Sequence, residues 1–217
     1  MDELILDILQ QLRANSQGAL DVHQLEVLLN SHNSGINSSI NSLDRKKLIP
    51  KRAILPYFLR VKDQNTKLWR SWSVTPELEA RFIQSVRMKP RRTASGVATI
   101  TVITRPHTCS SNCIYCPCDL RMPKSYIANE PACQRAELAF FDPYIQVAAR
   151  LQALHQMGHS TDKIELIVLG GTWSDYPASY QYWFIRELFR ALNEWPHSPQ
   201  HIEKRTDWYR SFGLQNT

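Results

Sequence analysis

Apolar residues recur at the spacing of an amphipathic helix through the first third of the chain. Three sets with this period are Leu4, Ile5, Ile8, Leu9 and Leu12, then Val22, Leu25, Leu28 and Leu29, then Ile36, Ile40 and Leu43. Each set predicts a short helix with one apolar face. Thr75-Pro76-Glu77 predicts a further helix start, because threonine is a good N-cap and proline suits the first helical position. Its apolar face continues through Leu78, Phe82 and Val86.

The pattern changes after residues 91–96, which we interpret as a linker. Residues 97–103 alternate β-branched side chains and predict a strand. Residues 164–169 are nearly all apolar, which predicts a parallel strand covered on both faces. Asp142-Pro143 predicts the start of a helix that Gly158 ends in a left-handed turn, and Pro177 starts another. The apolar positions of these two helices are Tyr144, Val147, Leu151 and Leu154, then Tyr180, Phe184, Leu188 and Leu192.

The order strand, loop, helix, strand, loop, helix predicts an α/β fold with parallel strands. We interpret residues 1–92 as a helical, basic domain and residues 93–217 as the α/β domain. The first domain resembles a small helical or winged-helix module, a shape that often contacts nucleic acid. Two strand–helix units cannot close a barrel, so we expect a small open sheet or a truncated piece of a larger domain. Residues 195–217 are interpreted as a polar tail.

Length and composition exclude several classes of protein. The 217 residues are 43% hydrophobic, which excludes general disorder and allows one large domain or two small ones. No run approaches 18 consecutive apolar residues, so we exclude a transmembrane helix and expect no membrane partner. The N-terminus, Met1-Asp2-Glu3, is acidic where a signal peptide would be basic. We therefore expect a cytoplasmic location.

The net charge of +6 is concentrated in one block of the sequence. Residues 45–92 contain 14 Lys or Arg and 3 acidic residues, a local net charge of +11 that leaves −5 for the remainder. Four aromatic residues are interleaved with these cations: Tyr57, Phe58, Trp69 and Trp72. A basic surface with aromatic platforms would bind folded RNA or a single strand. Aromatics that turn inward would leave only a solvated basic face, and composition leaves both interpretations open.

A cluster of cysteines is the sharpest chemical signal. Cys109, Cys113 and Cys116 form a CxxxCxxC pattern with an aromatic residue before the last cysteine. This clustering favours a metal or cluster site in a reducing compartment over a disulfide framework. Three thiolates on one loop can hold three irons of a [4Fe-4S] cluster and leave the fourth iron open to a small ligand.

Two other interpretations concern the remaining cysteines. A zinc site with Cys118 as the fourth ligand is an alternative, although the spacing Cys116-Pro-Cys118 is tighter than structural zinc usually has. Otherwise we expect Cys118 and Cys133 to be small buried residues.

Several strings along the second region resemble a known family in order and spacing. They are Thr93-Ala-Ser-Gly96-Val-Ala98, Pro106-His107-Thr-Cys109, Tyr115-Cys116-Pro117, Pro123-Lys124-Ser-Tyr126, Glu130-Pro131, Asp142-Pro143, Gly158-His159-Ser160, Asp162-Lys163 and Leu169-Gly-Gly-Thr172. With the cysteine loop they resemble radical S-adenosylmethionine (SAM) enzymes. More narrowly, they resemble the catalytic subunit of Elongator and its bacterial and archaeal relatives.

This resemblance implies the N-terminal portion of a tRNA-modifying acyltransferase. It implies a basic N-terminal module that binds tRNA and the first two βα units of a radical SAM partial (βα) barrel that holds a [4Fe-4S] cluster. The family cleaves SAM reductively and adds a carbon from acetyl-CoA to carbon 5 of the wobble uridine, giving a carboxymethyl product. An acetyltransferase-like C-terminal domain holds the acetyl-CoA.

The resemblance also implies roles for particular residues. Cys109, Cys113 and Cys116 would be the cluster ligands. Gly170, Gly171 and Thr172 match the glycine-rich segment near the SAM amino group, where absent side chains let the backbone approach a ligand. Lys163 matches a lysine that contacts acetyl-CoA, a role suited to a cation facing phosphate.

The length of the chain is the main departure from this family pattern. The rest of the barrel and the acetyltransferase region are missing, so we expect this chain alone to be inactive and aggregation-prone. Its expected partners are tRNA and either the C-terminal half or Elongator-like subunits. Two rival hypotheses are a non-catalytic tRNA-binding module with a structural cluster and a different radical SAM oxidoreductase. The Asp142-Pro143 and Asp162-Lys163 strings argue against the oxidoreductase.

Overall fold

The chain divides into two compact units. The computed structural model describes residues 1–15, 18–37, 48–117 and 119–213. Unit 1 comprises Met1–Ala94 with His155–His159, and unit 2 comprises Ser95–Leu154 with the chain from Ser160 onward. The expectations for Ile40, Leu43 and Cys118, and for the basic residues 45–47, lie outside the described residues. Within the described ranges, no helix has the length and apolar character needed to cross a membrane.

Unit 1 is helical throughout its described residues. Its helices are α1 (Asp2–Ala14), α2 (Val22–Asn37), α3 (Ile54–Gln64), α4 (Thr66–Ser71) and α5 (Pro76–Val86). The helices predicted around Leu4 and Leu25 are confirmed, as is the start of α5, where the Leu78 N–H donates to Thr75 Oγ1 at 3.2 Å. Ile36 belongs to the end of α2, and the rest of the predicted third helix lies outside the described residues. The sequence interpretation missed α3 and α4, whose helical period lies within the basic block.

Two of the four aromatic residues of the basic block, Phe58 and Trp72, lie in the core of unit 1, and Tyr57 and Trp69 are partly buried against it. Phe58 is fully buried, with its ring stacked 4.0 Å from Phe82 and 6.0 Å from Trp72, measured between ring centroids. Trp72 is also buried, and Tyr57 donates a hydrogen bond to Asp2. Of the two interpretations of these aromatics, the structure therefore supports the inward-facing one for Phe58 and Trp72. The exposed cations of this block are Arg52, Arg60, Lys62, Lys67, Arg70, Lys89, Arg91 and Arg92.

Arg81 on α5 joins two parts of unit 1 through backbone carbonyls. Its guanidinium donates to Gly18 O at 2.8 Å, to Leu12 O at 2.7 Å and to Asn15 O. These carbonyls lie at and after the end of α1, where no further helical turn can satisfy them. Arg81 is thus a structural cation and does not contribute to a free basic surface.

Unit 2 is an α/β arrangement around one parallel strand pair. Its elements are β1 (Ala98–Ile103), α6 (Pro131–Leu138), α7 (Pro143–Gln156), β2 (Ile164–Leu169), α8 (Ala178–Asn193) and α9 (Ile202–Ser211). The strands pair in parallel register from Ala98 opposite Ile164 to Ile103 opposite Leu169. The predicted strands and the α/β class are confirmed, and α6 was missed.

Local signals set the ends of α7. The Ile145 N–H donates to Asp142 Oδ1 at 2.9 Å, so Asp142 caps the helix as predicted. Gly158 follows the last turn with a φ of 82°, and its N–H donates to His155 O at 2.9 Å. This left-handed turn was also predicted. Between these ends, Tyr144, Val147, Leu151 and Leu154 are buried, as their helical spacing predicted.

The two strands differ in how they are covered. β1 is mostly buried, and Gln146 of α7 pairs through its side-chain amide with both backbone groups of Ile103, at 2.8 and 2.9 Å. Along β2, Ile167 and Val168 are each 37% exposed. The prediction that residues 164–169 are covered on both faces was therefore wrong. Among the described residues β2 pairs with β1 alone, so its apolar residues have no further strand beside them.

The segment predicted as a polar tail contains α9. Arg205 of α9 lies 3.2 Å from Asp142 Oδ2 and also pairs with Glu187 of α8, and both carboxylates are buried. The Tyr209 hydroxyl donates to Asp142 at 2.9 Å. The polar composition of this segment hid a helix because its contacts are ionic, with few apolar groups to mark a buried face.

Candidate functional site

The predicted cysteine ligands lie on one irregular loop that follows β1. Cys109 and Cys116 are partly exposed, Cys113 is exposed, and all three carry free thiols. The Cys116 N–H donates to Cys113 O at 3.1 Å, so the last two cysteines share a tight turn. The loop leaves the C-terminal end of a parallel strand, where α/β folds place their active sites.

The three sulfurs are not assembled into a metal-binding cage. Cys109 Sγ lies 3.3 Å from Thr172 Oγ1, and Cys116 Sγ lies 3.6 Å from Ser125 Oγ. No three His, Cys, Asp or Glu side chains within residues 1–15, 18–37, 48–117 and 119–213 are close enough to hold a metal ion. The donor set still fits an iron–sulfur cluster, because three free, accessible thiols sit on one loop without helical or strand constraints. The loop would have to close around the metal.

Cys133 differs from these three cysteines. It lies on α6, is fully buried, and packs in a small cluster with Ile103, Met122 and Ala136. Burial raises the pKa of the Cys133 thiol to about 11, so the group remains a protonated thiol at neutral pH. The prediction that Cys133 is a small buried residue is confirmed. The zinc alternative depends on Cys118, which lies outside the described residues.

The glycine segment after β2 packs directly on the end of β1. The Thr104 N–H donates to Leu169 O at 3.0 Å, which extends the strand ladder by one residue. A Cβ built on Gly170, whose φ is 154°, would lie 1.8 Å from Thr104 Oγ1. Any larger residue at this position would therefore displace Thr104. A Cβ on Gly171 would meet only ordinary contacts at 3.6 Å, from Lys124.

A hydrogen-bonded chain of buried hydroxyls supports this turn. The Tyr176 hydroxyl donates to Arg105 O at 2.7 Å, so the 2.8 Å contact with Thr104 Oγ1 has Thr104 as its donor. Burial raises the pKa of Tyr176. The Arg105 N–H donates to the Tyr180 hydroxyl at 3.0 Å, and burial raises the pKa of Tyr180 to about 12. Both phenols therefore stay neutral at physiological pH and fix the backbone between β1 and the cysteine loop.

A cavity of about 410 Å³ opens beside the glycine segment. Its lining includes Thr104 and Leu169 at the strand ends, Gly170 and Gly171, and the ring of Trp173. A cleft at the carboxyl ends of parallel strands, lined mainly by apolar and aromatic side chains with a few polar groups, is typical of a small-molecule site. A role of Gly170 and Gly171 in binding SAM stays a prediction.

Lys163 is separated from this group of residues. It is exposed and precedes β2, and its carbonyl accepts the Ala98 N–H at 2.9 Å. The cysteine loop follows the C-terminal end of β1, and the glycine segment follows the C-terminal end of β2. Lys163 lies at the N-terminal end of β2. Six strand residues at about 3.3 Å each place Lys163 roughly 20 Å away along the strand. The structure therefore brings Cys109 and Thr172 together and leaves Lys163 outside this site.

Asp175 is a site residue that the sequence interpretation missed. Its carboxylate accepts from the Ser110 N–H at 2.8 Å and from the Ser110 hydroxyl at 3.1 Å. These hydrogen bonds, the backbone one foremost, hold the pKa of Asp175 below its usual range. The two residues are 65 positions apart, and no local pattern links them, so only the fold could reveal the pair.

These features define an α/β protein with a cysteine loop and a glycine turn at the carboxyl ends of a parallel strand pair. The chain is 44% identical over 126 residues to the tRNA uridine(34) acetyltransferase of Methanocaldococcus infernus. It is 46% identical over 105 residues to the protein of the same name from Dehalococcoides mccartyi. It is 39% identical over 132 residues to the human Elongator complex protein 3.

These alignments cover part of each protein. They span 55%, 48% and 56% of this chain and 24%, 23% and 24% of the three relatives, in the same order. The chain thus spans about a quarter of the length of the curated relatives that it matches. No protein-family model matches it. The resemblance to the Elongator catalytic subunit and its relatives is confirmed as homology over about half of the chain.

Proposed function

We propose that this chain supplies the cluster-bearing part of a radical SAM enzyme that modifies the wobble uridine of tRNA. The observation that carries the proposal is the 44% identity to a tRNA uridine(34) acetyltransferase. The contact between Cys109 and Thr172 supports it, because it brings the cysteine loop to the turn whose glycines line the cavity. The chain would act with an acetyltransferase domain or an Elongator-like partner that supplies acetyl-CoA.

In this proposal each group of residues has a distinct task. Cys109, Cys113 and Cys116 would hold a [4Fe-4S] cluster, which supplies an electron to SAM when it is bound. The backbone of Gly170 and Gly171 would border the SAM, since both glycines line the cavity without a side chain of their own. Trp173, which also lines the cavity, would shield one side of it from water. Lys163 would contact acetyl-CoA from the far end of β2, which requires that this ligand reach the site from a partner domain.

Iron reconstitution tests the cluster assignment. Anaerobically reconstituted protein should hold about four irons and absorb near roughly 400 nm. Cys109→Ala, Cys113→Ala or Cys116→Ala should each abolish this absorbance. Cys133→Ala is the matched control, since the thiol is buried on α6, and Cys118→Ala tests the zinc alternative. Both should retain the cluster, and full iron retention in the triplet variants would overturn the assignment.

The exposed cations of unit 1 support a role in binding tRNA. Arg52, Arg60 and Lys67 are exposed, so their charges are available to phosphate. The affinity for tRNA should fall steeply with salt, because each phosphate contact releases counterions. Charge reversal at Lys46, Lys47, Lys51 and Arg52 should reduce the salt slope by about one per lost contact and leave the iron content unchanged. Lys204→Glu in unit 2 is a matched charge control, and equal weakening by it would contradict a specific basic interface.

An activity assay tests the whole proposal. The chain is incubated anaerobically with tRNA, SAM, acetyl-CoA and a reductant, and the nucleosides are analysed by mass spectrometry. We expect carboxymethyluridine only when an acetyltransferase-like domain is appended or added as a separate chain. Product from the 217-residue chain alone would show that no second domain is needed.

A further inference from the structure

Asp175 accepts hydrogen bonds from Ser110, the residue that follows Cys109. It ends the short turn Trp173–Asp175 after the glycine segment. Its Oδ2 accepts the Ser110 backbone N–H at 2.8 Å, and the Ser110 hydroxyl lies 3.1 Å from each carboxylate oxygen. The Asp175 side chain is thus occupied by Ser110.

The backbone of Asp175 contacts His107, which lies on the N-terminal side of Cys109. His107 Nε2 lies 2.9 Å from Asp175 O, and because a carbonyl only accepts, the histidine donates. The His107 ring also stacks on Tyr176, with centroids 4.8 Å apart. Asp175 therefore contacts the residue two before Cys109 and the residue one after it. Between these two contacts, Cys109 Sγ rests 3.3 Å from Thr172 Oγ1.

The described part of the loop is held by contacts of this kind instead of by regular secondary structure. Within the described residues, no helix or strand lies between β1, which ends at Ile103, and α6, which begins at Pro131. A connection of this length loses much conformational entropy when one of its residues is held at a defined place. Cys113, four residues further along, is exposed, and its carbonyl accepts the Cys116 N–H in a tight turn.

We propose that Asp175 is a positioning residue that holds Cys109 at the glycine turn, so that the cysteine loop closes on its cluster from a fixed first ligand. The inference rests on the proposed function, because the cluster is what Cys109 would hold. Asp175 is assigned no ligand role, because its carboxylate accepts the hydrogen bonds of Ser110 on the loop. Asp175 positions Cys109 by accepting hydrogen bonds from Ser110, and this depends on where its oxygen atoms lie. An amide of the same shape should therefore replace the carboxylate in part.

Four variants separate this role from a general effect on charge or stability. Asp175→Ala removes the acceptor, whereas Asp175→Asn removes the charge and keeps one carbonyl oxygen for the Ser110 N–H. Ser110→Ala removes the hydroxyl contacts and keeps the backbone hydrogen bond. Asp119→Ala is the matched control, since Asp119 lies on the same loop and pairs locally with Arg121 at 2.9 Å.

The first measurement uses the full chain without metal. Cysteine alkylation by iodoacetamide is followed residue by residue with mass spectrometry. Asp175→Ala should speed alkylation of Cys109 by about threefold to tenfold, the range expected from loss of one hydrogen bond. Cys113 should react at the wild-type rate in Asp175→Ala. In Asp175→Asn the alkylation rate of Cys109 should return most of the way to the wild-type rate. Equal rates at Cys109 in the wild type and Asp175→Ala, or equal acceleration at Cys113, would overturn the proposal.

The second measurement uses the reconstituted chain and follows iron loss to a chelator. Asp175→Ala should lose iron several-fold faster than the wild type, and Ser110→Ala and Asp119→Ala should behave as the wild type does. Identical iron loss in all variants would overturn the role in cluster assembly. If the wild type itself takes up no iron, the proposed function fails, and the alkylation rates still decide whether Asp175 positions Cys109.

Discussion

Replacing Arg205 with alanine tests whether the ion pairs of α9 hold unit 2 together. The Arg205 guanidinium lies between Asp142, which is 2% exposed, and Glu187, which is 1% exposed. It also lies over the Tyr144 ring, 4.2 Å from the centroid. Arg205→Ala would leave Asp142 without its cation, whereas Glu187 keeps Arg186 at 3.1 Å and Arg190 at 3.8 Å. Loss of one partner from a buried pair is costly because the remaining charge is desolvated and unpaired.

The expected loss of stability is about 3 kcal/mol, at the lower end of the range for buried pairs because Arg205 keeps some contact with water. For a chain of 217 residues that loss lowers Tm by about 6–12 °C. The measurement is urea and thermal unfolding followed by circular dichroism. Arg210→Ala is the matched control, since Arg210 also lies on α9 and pairs with Asp207 where both side chains are exposed. It should cost at most about 1 kcal/mol.

The pH dependence gives a second, signed test of the same ion pairs. Burial raises the pKa of Asp142, and Arg205 opposes that rise. A carboxyl with a raised folded-state pKa binds its proton more tightly in the folded protein, so its ionisation costs stability as pH rises. In Arg205→Ala this pKa is higher still, and the destabilisation should shrink as pH falls from about 7 to about 5. Adding Asp142→Asn should recover part of the loss at neutral pH.

Two results would refute this reasoning. One is an Arg205→Ala protein within about 1 kcal/mol of Arg210→Ala, which would mean that water or local rearrangement compensates the buried carboxylates. The other is a destabilisation that grows as pH falls, because protonation of Asp142 can only relieve an unpaired carboxylate.

Three further predictions follow from single contacts. Gly170→Ala should lower the free energy of unfolding by about 1–3 kcal/mol, because its Cβ overlaps Thr104, while Gly171→Ala should be nearly neutral; equal urea midpoints would contradict this. Arg81→Ala should cost about 1–3 kcal/mol, since it strips the carbonyls after α1 of their donor, and faster amide exchange near residue 15 would locate the loss. Burial lowers the pKa of His159, so the unfolded chain binds its proton more tightly and acid should destabilise unit 1. His159→Gln should flatten the dependence between about pH 7 and 5, and an unchanged slope would show that other groups carry it.

The features that the sequence alone determined are those set by local hydrogen bonds or by the periodicity of apolar residues. Thr75 caps α5 and Asp142 caps α7 through bonds to an N–H three residues later, so a short window contains both partners. The predicted strand at 164–169 has the bounds of β2 because its apolar run is interrupted by a glycine turn. The cysteine loop is likewise a local pattern, visible from the spacing of Cys109, Cys113 and Cys116 alone.

Packing between distant elements decided the rest. Composition could not tell whether Phe58 and Trp72 face RNA or a core, and their stacking inside unit 1 depends on how α3, α4 and α5 meet. The exposure of Ile167 depends on which elements pack against the faces of β2, and an apolar run does not encode them. The contacts of Asp175 with Ser110 and of Arg205 with Asp142 join residues more than 60 positions apart. Such pairs form only when the fold brings their elements together. No local sequence pattern around a polar residue identifies a partner that lies far away in the chain.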